Sequence, residues 1–214
     1  MTACRKAVVH LEERKVNWGI YMKRRTIWVL GLAVLLLTAC GSPIETNMSR
    51  DVNSLEAVNQ DGEKVILPED YSGEYWIADF IFTSCETVCP PMTGNMSRLQ
   101  QELDQEGMEV PLVSMSVDPD TDTPEKMKSF AEPYQPDFSH WNFLTGYSFQ
   151  EVKEFSIKSF QSPVKQLENS NQVAHGTSFY LVTPEGEVIK SYNGTEAGSV
   201  DQIIEDLQTL KQNQ

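Results

Sequence analysis

Positive charge is scarce in this chain. Only 17 of the 214 residues are Lys or Arg, against 31 Asp or Glu, for a formal net charge of −14. That deficit argues against nucleic acid as a partner, because phosphate binding needs clustered cations. Without the first 39 residues the imbalance deepens: residues 40–214 hold ten basic and 29 acidic side chains, a net charge of −19. Such a surface suits solubility and a cationic partner without naming one. Membrane-spanning length is missing too. The apolar run Ile27–Leu37 covers 11 residues, well short of the ~20 that a helix needs to cross a bilayer. Cysteine and histidine are few, four and three respectively, which narrows any thiol or metal chemistry to a handful of positions. No internal repeat is present. With 40% hydrophobic and 22% charged residues, the composition is that of a globular chain of one domain, or at most two small ones.

The amino end has the layout of a bacterial secretory signal. Lys23-Arg24-Arg25 precedes the short apolar run, and small residues follow in Leu37-Thr38-Ala39-Cys40-Gly41. The Leu-Thr-Ala-Cys ending resembles a lipobox, which implies that Cys40 is acylated and becomes the mature amino terminus. Acyl chains would then hold the protein on the outer face of the cell membrane, each buried CH₂ contributing ~0.8 kcal/mol. Met22 starts a complete signal by itself, so residues 1–21 read as upstream sequence, and Cys4 and His10 drop out of functional reasoning. The expected organisation is a leader over 1–39, a lipidated tether over 40–50 and one folded domain over 51–214. With Cys40 acylated, Cys85 and Cys89 are the free thiols, in a compartment that permits disulfides.

Within that domain, strands and helices alternate. An Asp61-Gly62 turn inside Val58–Val65 marks a hairpin near the start. Trp76–Phe82 is a nearly continuous apolar run of strand length, expected to be buried on both faces. Met92, Met96, Leu99 and Leu103 recur at helical spacing after Pro90-Pro91, and Gly107 stops the pattern. Val110–Val117 alternates as a second strand, and Thr123-Pro124 opens a short helix. Trp141–Leu144 is a third strand, and Ser148 with Glu151 forms a capping box before another helix. Thr177–Val182 and Glu187–Tyr192 flank a Pro-Glu-Gly turn, and a stripe from Val200 to Leu210 closes the chain as a helix. The polar stretch 161–172 reads as a surface loop. This order predicts an α/β fold with a mainly parallel sheet and an antiparallel edge.

The chemistry-bearing segment is Phe80-Ile81-Phe82-Thr83-Ser84-Cys85-Glu86-Thr87-Val88-Cys89-Pro90-Pro91. A central strand empties into a loop that becomes a helix, and the carboxyl ends of parallel strands are where open α/β sheets bind ligands. Cys89 at the helix start is expected to favour the thiolate, since unpaired amides there attract negative charge. Two thiols four residues apart are both a possible disulfide and a soft clamp for a metal. Met92 and Met96 are read as core, not as thioether ligands. Asp79 stands out inside the apolar strand, because a buried unpaired carboxylate is costly.

The Cys-x-x-x-Cys-Pro segment after an aromatic strand resembles the Sco/SenC copper proteins, thioredoxin-fold factors for cytochrome c oxidase assembly. Asp118-Pro119-Asp120-Thr121-Asp122-Thr123-Pro124-Glu125 is similar to that family's Asp-Pro-x-x-Asp-Thr-Pro-Glu segment, and His175-Gly176-Thr177 to its His-x-Thr. The resemblance implies a thioredoxin-like α/β fold, with a central mixed sheet flanked by helices and an amino-terminal hairpin. It also implies one copper ion per monomer, held by Cys85, Cys89 and His175. Copper(I) prefers thiolates and copper(II) accepts imidazole, so this donor set suits either. Zinc would ordinarily want a fourth ligand or a water. Of the two histidines past the leader, His140 is read as a packing or surface residue. Asp118 is a candidate to orient the loop or His175, with a plain turn-forming role weighed equally. Asp79 resembles the buried aspartate of thioredoxins and would handle protons. The expected role is delivery of copper to the binuclear site of cytochrome c oxidase subunit II. The alternative is a thiol–disulfide oxidoreductase using Cys85 and Cys89. Cysteine spacing of three residues, not two, and a histidine in place of a proline at 174–178 favour metal.

Overall fold

A computed structural model describes residues 43–213 other than 86, 169 and 171. The leader, Met22 and Cys40 lie outside the described residues. The folded unit begins at Pro43. Its elements are β1 Arg50–Asp51, β2 Leu55–Val58, β3 Lys64–Leu67, β4 Trp76–Ile81, α1 Cys89–Gln105, β5 Leu112–Ser116, α2 Pro124–Ala131, β6 Trp141–Leu144, α3 Phe149–Phe160, β7 Lys165–Gln166, β8 Val173–Ala174, β9 Ser178–Val182, β10 Glu187–Asn193 and α4 Gly198–Gln212.

Six strands form the main sheet in the order β1-β10-β9-β4-β5-β6. The three strands β4, β5 and β6 run parallel, while β9, β10 and β1 add on antiparallel. All six residues of β4 are buried, as expected of a strand covered on both faces. The hairpin β2–β3 pairs Leu55 with Leu67 and Val58 with Lys64 around the anticipated Asp61-Gly62 turn. Met92, Met96, Leu99 and Leu103 of α1 are buried, so the methionines are core as their spacing implied. Thr123 caps α2 by accepting from the Lys126 amide, and Ser148 with Glu151 completes the capping box of α3.

Two segments differ from the sequence reading. The stretch 161–172 is not plain loop: Lys165–Gln166 pairs with Val173–Ala174 in a short hairpin anchored by buried Val164 and Val173. Two-residue strands leave no periodicity to read. Part of the segment taken as a tether lies along the sheet edge. Ile44 is buried, Met48 N–H donates to the Ile189 carbonyl, and Arg50–Asp51 pairs with β10. Among the described residues no helix is long and apolar enough to cross a membrane.

Topology decides which residues meet. His175 precedes β9, which runs antiparallel to β4 with Ala78 opposite Tyr180. The start of β9 therefore lies at the end of β4 that opens into the cysteine loop. His140 precedes β6, which runs in the same direction as β4 through β5, so it falls at the opposite end of the sheet.

Candidate functional site

The cysteine loop is built by hydrogen bonds at the ends of β4 and α1. Cys85 N–H donates to the Phe82 carbonyl (3.2 Å), closing a tight turn. Helix α1 starts at Cys89 itself, with Pro90 and Pro91 in the first turn, where a missing N–H costs nothing. The Cys89 amide points back along the helix axis at Cys85 Sγ (3.4 Å). Both cysteines are free thiols and both are buried, Cys89 completely.

This geometry reverses the expected assignment of thiolate character. Burial pushes the Cys85 thiol up, but the Cys89 thiol and the amides of Cys89, Thr87 and Val88 more than offset it, and its pKa falls below the ordinary value. Cys89 is pushed well up, chiefly by burial and further by the Cys85 thiol, with the Asp79 charge adding to the rise. The physical reason is directional. Amides of a first helical turn face outward along the axis, toward Cys85, and not toward the side chain of the residue that starts the helix.

His175 brings its ring to the same place. Its Nδ1 lies 2.8 Å from the Gly176 carbonyl. A carbonyl only accepts, so Nδ1 carries the proton and Nε2 bears the free lone pair. That Nε2 faces Cys89 Sγ at 3.8 Å. The ring also stands edge-on to Phe82, 5.6 Å between centroids. Burial lowers the His175 pKa and the Gly176 carbonyl only partly opposes this, so the imidazole is held neutral. A neutral imidazole with its second nitrogen hydrogen-bonded to backbone is the form in which histidine binds metals.

A connected set of bonds ties the two halves together. Gly194 N–H donates to the Thr177 carbonyl (2.7 Å), and the Gly194 carbonyl accepts from Asn95 Nδ2 of α1 (2.8 Å). Gly194 has no room for a side chain: a Cβ there would sit 2.8 Å from the Thr177 carbonyl oxygen. From the hairpin, Gln172 Nε2 donates to the Ser84 carbonyl (3.2 Å). Among the described residues, no three His, Cys, Asp or Glu side chains stand close enough together to enclose a metal ion. Cys89 and His175 are paired, with Cys85 beside Cys89. The donor types fit copper.

The remaining sequence candidates divide. Asp79 is fully buried, and neither carboxylate oxygen has a hydrogen-bond partner. Burial pushes its carboxyl up to about 7, an effect that the neighbouring Ser114 hydroxyl only partly offsets. Asp118 is buried in the turn role: its carbonyl accepts from the Thr121 and Asp122 amides, and its N–H donates to Ser116 Oγ. Among the described residues no hydrogen bond joins its carboxylate to His175. His140 is half-buried and bonded through its backbone to Asp137 and Leu112. Asp122 was given no role of its own from the sequence, although it occupies the second Asp of the Asp-Pro-x-x-Asp-Thr-Pro-Glu segment. It is almost fully buried and accepts hydrogen bonds from Thr83 and Ser116 beside the cysteine loop.

Fold and site together define a thioredoxin-like protein that presents a dithiol and a neutral imidazole at the carboxyl end of its parallel strands. The SCO1/SenC family model matches residues 45–212. The chain belongs to that family. It is 48% identical over 180 residues to the SCO1 protein homolog of Bacillus subtilis (strain 168), covering 84% of this chain and 93% of that one. A protein of Stutzerimonas stutzeri named for copper binding is 30% identical, covering 65% of this chain and 67% of that one. The crystal structure of a SCO1/SenC family lipoprotein from Bacillus anthracis str. Ames is 46% identical with a TM-score of 0.73, over 76% of this chain and 95% of that one. BsSco, described as a member of the Sco family of cytochrome c oxidase assembly proteins with a disulfide switch, is 48% identical with a TM-score of 0.71, over 78% and 96%.

Proposed function

We propose that this protein is an extracytoplasmic copper-binding factor for cytochrome c oxidase assembly. It delivers one copper ion per chain to the binuclear copper site of subunit II while held to the membrane through acylated Cys40. The ligands of this reading are Cys85, Cys89 and His175. The observation that carries it is the unprotonated Nε2 of His175 paired with Cys89 Sγ at 3.8 Å. The copper-binding name of the Stutzerimonas relative and the oxidase-assembly description of BsSco support it. The lipoprotein from Bacillus anthracis supports the anchor.

Copper is cargo here, taken up by soft thiolates and tolerated by imidazole in its oxidised form. The protein's own residues divide the work. Cys85, with its depressed pKa, loses its proton first. Cys89 must lose a proton against burial, and Asp79, whose charge is felt at that thiol, is a buried group able to take it. His175 needs no proton removed. The acidic surface keeps the protein soluble and disfavours nucleic acid, and a single copy carries the whole donor set.

Titration of the reduced protein with copper, followed by visible absorption and EPR, tests the reading. One tightly held equivalent with sulfur and nitrogen signatures is expected, and failure to retain copper overturns it. One observation favours a second reading, thiol–disulfide exchange: a low-pKa thiol stands beside a buried high-pKa one. That reading requires catalytic reduction of a target disulfide with all copper chelated away.

A further inference from the structure

Three parallel strands end beside the cysteine loop, and one buried residue binds to all three ends, to two through its side chain and to the third through its main chain. Asp122 is 1% exposed. Its Oδ1 accepts from Thr83 Oγ1 (2.5 Å), just past the end of β4. Its Oδ2 accepts from Ser116 Oγ (2.6 Å), the last residue of β5. The Thr83 amide is shared between both oxygens, 3.3 Å from each. The Asp122 carbonyl accepts from Thr145 Oγ1 (2.6 Å), just past the end of β6, and its N–H donates to the Asp118 carbonyl (2.9 Å). A buried carboxylate is expensive unless its lone pairs are filled. This one is filled by groups whose positions it thereby sets.

Thr83 lies two residues before Cys85, inside the turn closed by the Cys85 amide on the Phe82 carbonyl. Thr83 is thus held by its amide and its hydroxyl together, and Cys85 has little freedom left. We propose that Asp122 is a positioning residue for Cys85: through Thr83 it holds the Thr83–Cys85 turn against the sheet, so that Cys85 Sγ stays within reach of the Cys89 amide. The inference deepens the proposed function and takes from it the role of Cys85 as a copper ligand. The positioning itself is a property of the metal-free protein.

The test compares Thr83→Val, Thr83→Ser and Asp122→Asn in the full chain purified in detergent. Two rates are read: alkylation of Cys85 by iodoacetamide in the reduced, metal-free protein at fixed pH, and loss of bound copper to a chelator. Thr83→Val removes only the hydroxyl donor and is expected to change both about tenfold, the scale of one hydrogen bond to a charged group: copper loss becomes faster, and alkylation slower as Cys85 Sγ leaves the Cys89 amide that favours its thiolate. Thr83→Ser keeps the donor and should restore parental rates. Asp122→Asn should move both rates the same way as Thr83→Val. Parental rates in Thr83→Val, with only a lowered unfolding midpoint, would reduce Asp122 to a structural group and overturn the inference. Changes in Thr83→Ser equal to those in Thr83→Val would overturn it as well. Should Asp122→Asn fail to fold, the two threonine variants decide alone. If the parent retains no copper, the copper reading falls on that ground, and the alkylation rates still decide the role of Asp122.

Discussion

The two halves of the site are secured in different ways. The cysteine half is locked into the sheet and α1 by side chains with filled hydrogen bonds: Asp122 on Thr83 and Ser116, and Thr93 Oγ1 on the Cys89 carbonyl (2.9 Å). The histidine half hangs from a two-residue-strand hairpin, the Gly194–Thr177 bond and the Gln172–Ser84 bond. Side-chain ties that fill buried acceptors are costly to break, whereas a short hairpin is marginal by itself. The histidine segment is therefore the more easily displaced of the two.

The strongest way to break that comparison is to remove one donor from each half. Cys89→Ser should cost well over a hundredfold in copper affinity, because even groups that merely support a ligand cost ~10–100-fold. His175→Ala should cost about a hundredfold and change the copper(II) spectrum while the metal-free fold stays intact. Competition titration with a chelator measures both. An unchanged spectrum in His175→Ala would remove the imidazole from the site.

Asp79 probes the ground beneath the cysteine half. Its carboxyl is held near 7 in the folded protein against an ordinary 3.8, so between those values the folded state binds more protons than the unfolded one. Stability from this group is therefore fully present below about pH 4 and is lost as pH rises toward 7 and beyond. Asp79→Asn should remove that loss and raise the unfolding free energy at pH 8 by up to roughly 4 kcal/mol, with little effect near pH 4. Urea unfolding of the reduced, metal-free protein at the two pH values is the check. A parental pH dependence in the variant would mean that the buried carboxylate has a partner when ionised.

Gly194→Ala acts on the tie to the histidine half. With a Cβ 2.8 Å from the Thr177 carbonyl oxygen, the Thr177 segment must move, at a cost of about 1–3 kcal/mol in stability. Copper release should be faster while Cys85 alkylation stays parental, a split that only the unequal anchoring of the two halves predicts. Ser148→Ala, which removes the capping box of α3 without touching the bonds that hold either half of the site, should cost about 1 kcal/mol of stability. It should leave both copper release and alkylation unchanged.

Much of this protein was legible one residue at a time. Strand and helix periods follow from side-chain alternation, so β4, α1 and α4 stood where apolar spacing placed them. The helix caps and turns follow from local hydrogen bonding, and the thiols and late histidine that meet in the fold were singled out in the sequence. What the linear order could not settle was direction in space. Which cysteine receives the first helix amide depends on where that N–H bond points once α1 has formed, and it points at Cys85. Likewise Asp122 acquires its role only when the strand ends at residues 83 and 116 converge on its carboxylate and that at 145 on its carbonyl. Local propensities are written in neighbouring residues. A hydrogen-bond partner dozens of positions away exists only after the sheet has folded, and there the tertiary structure alone decided.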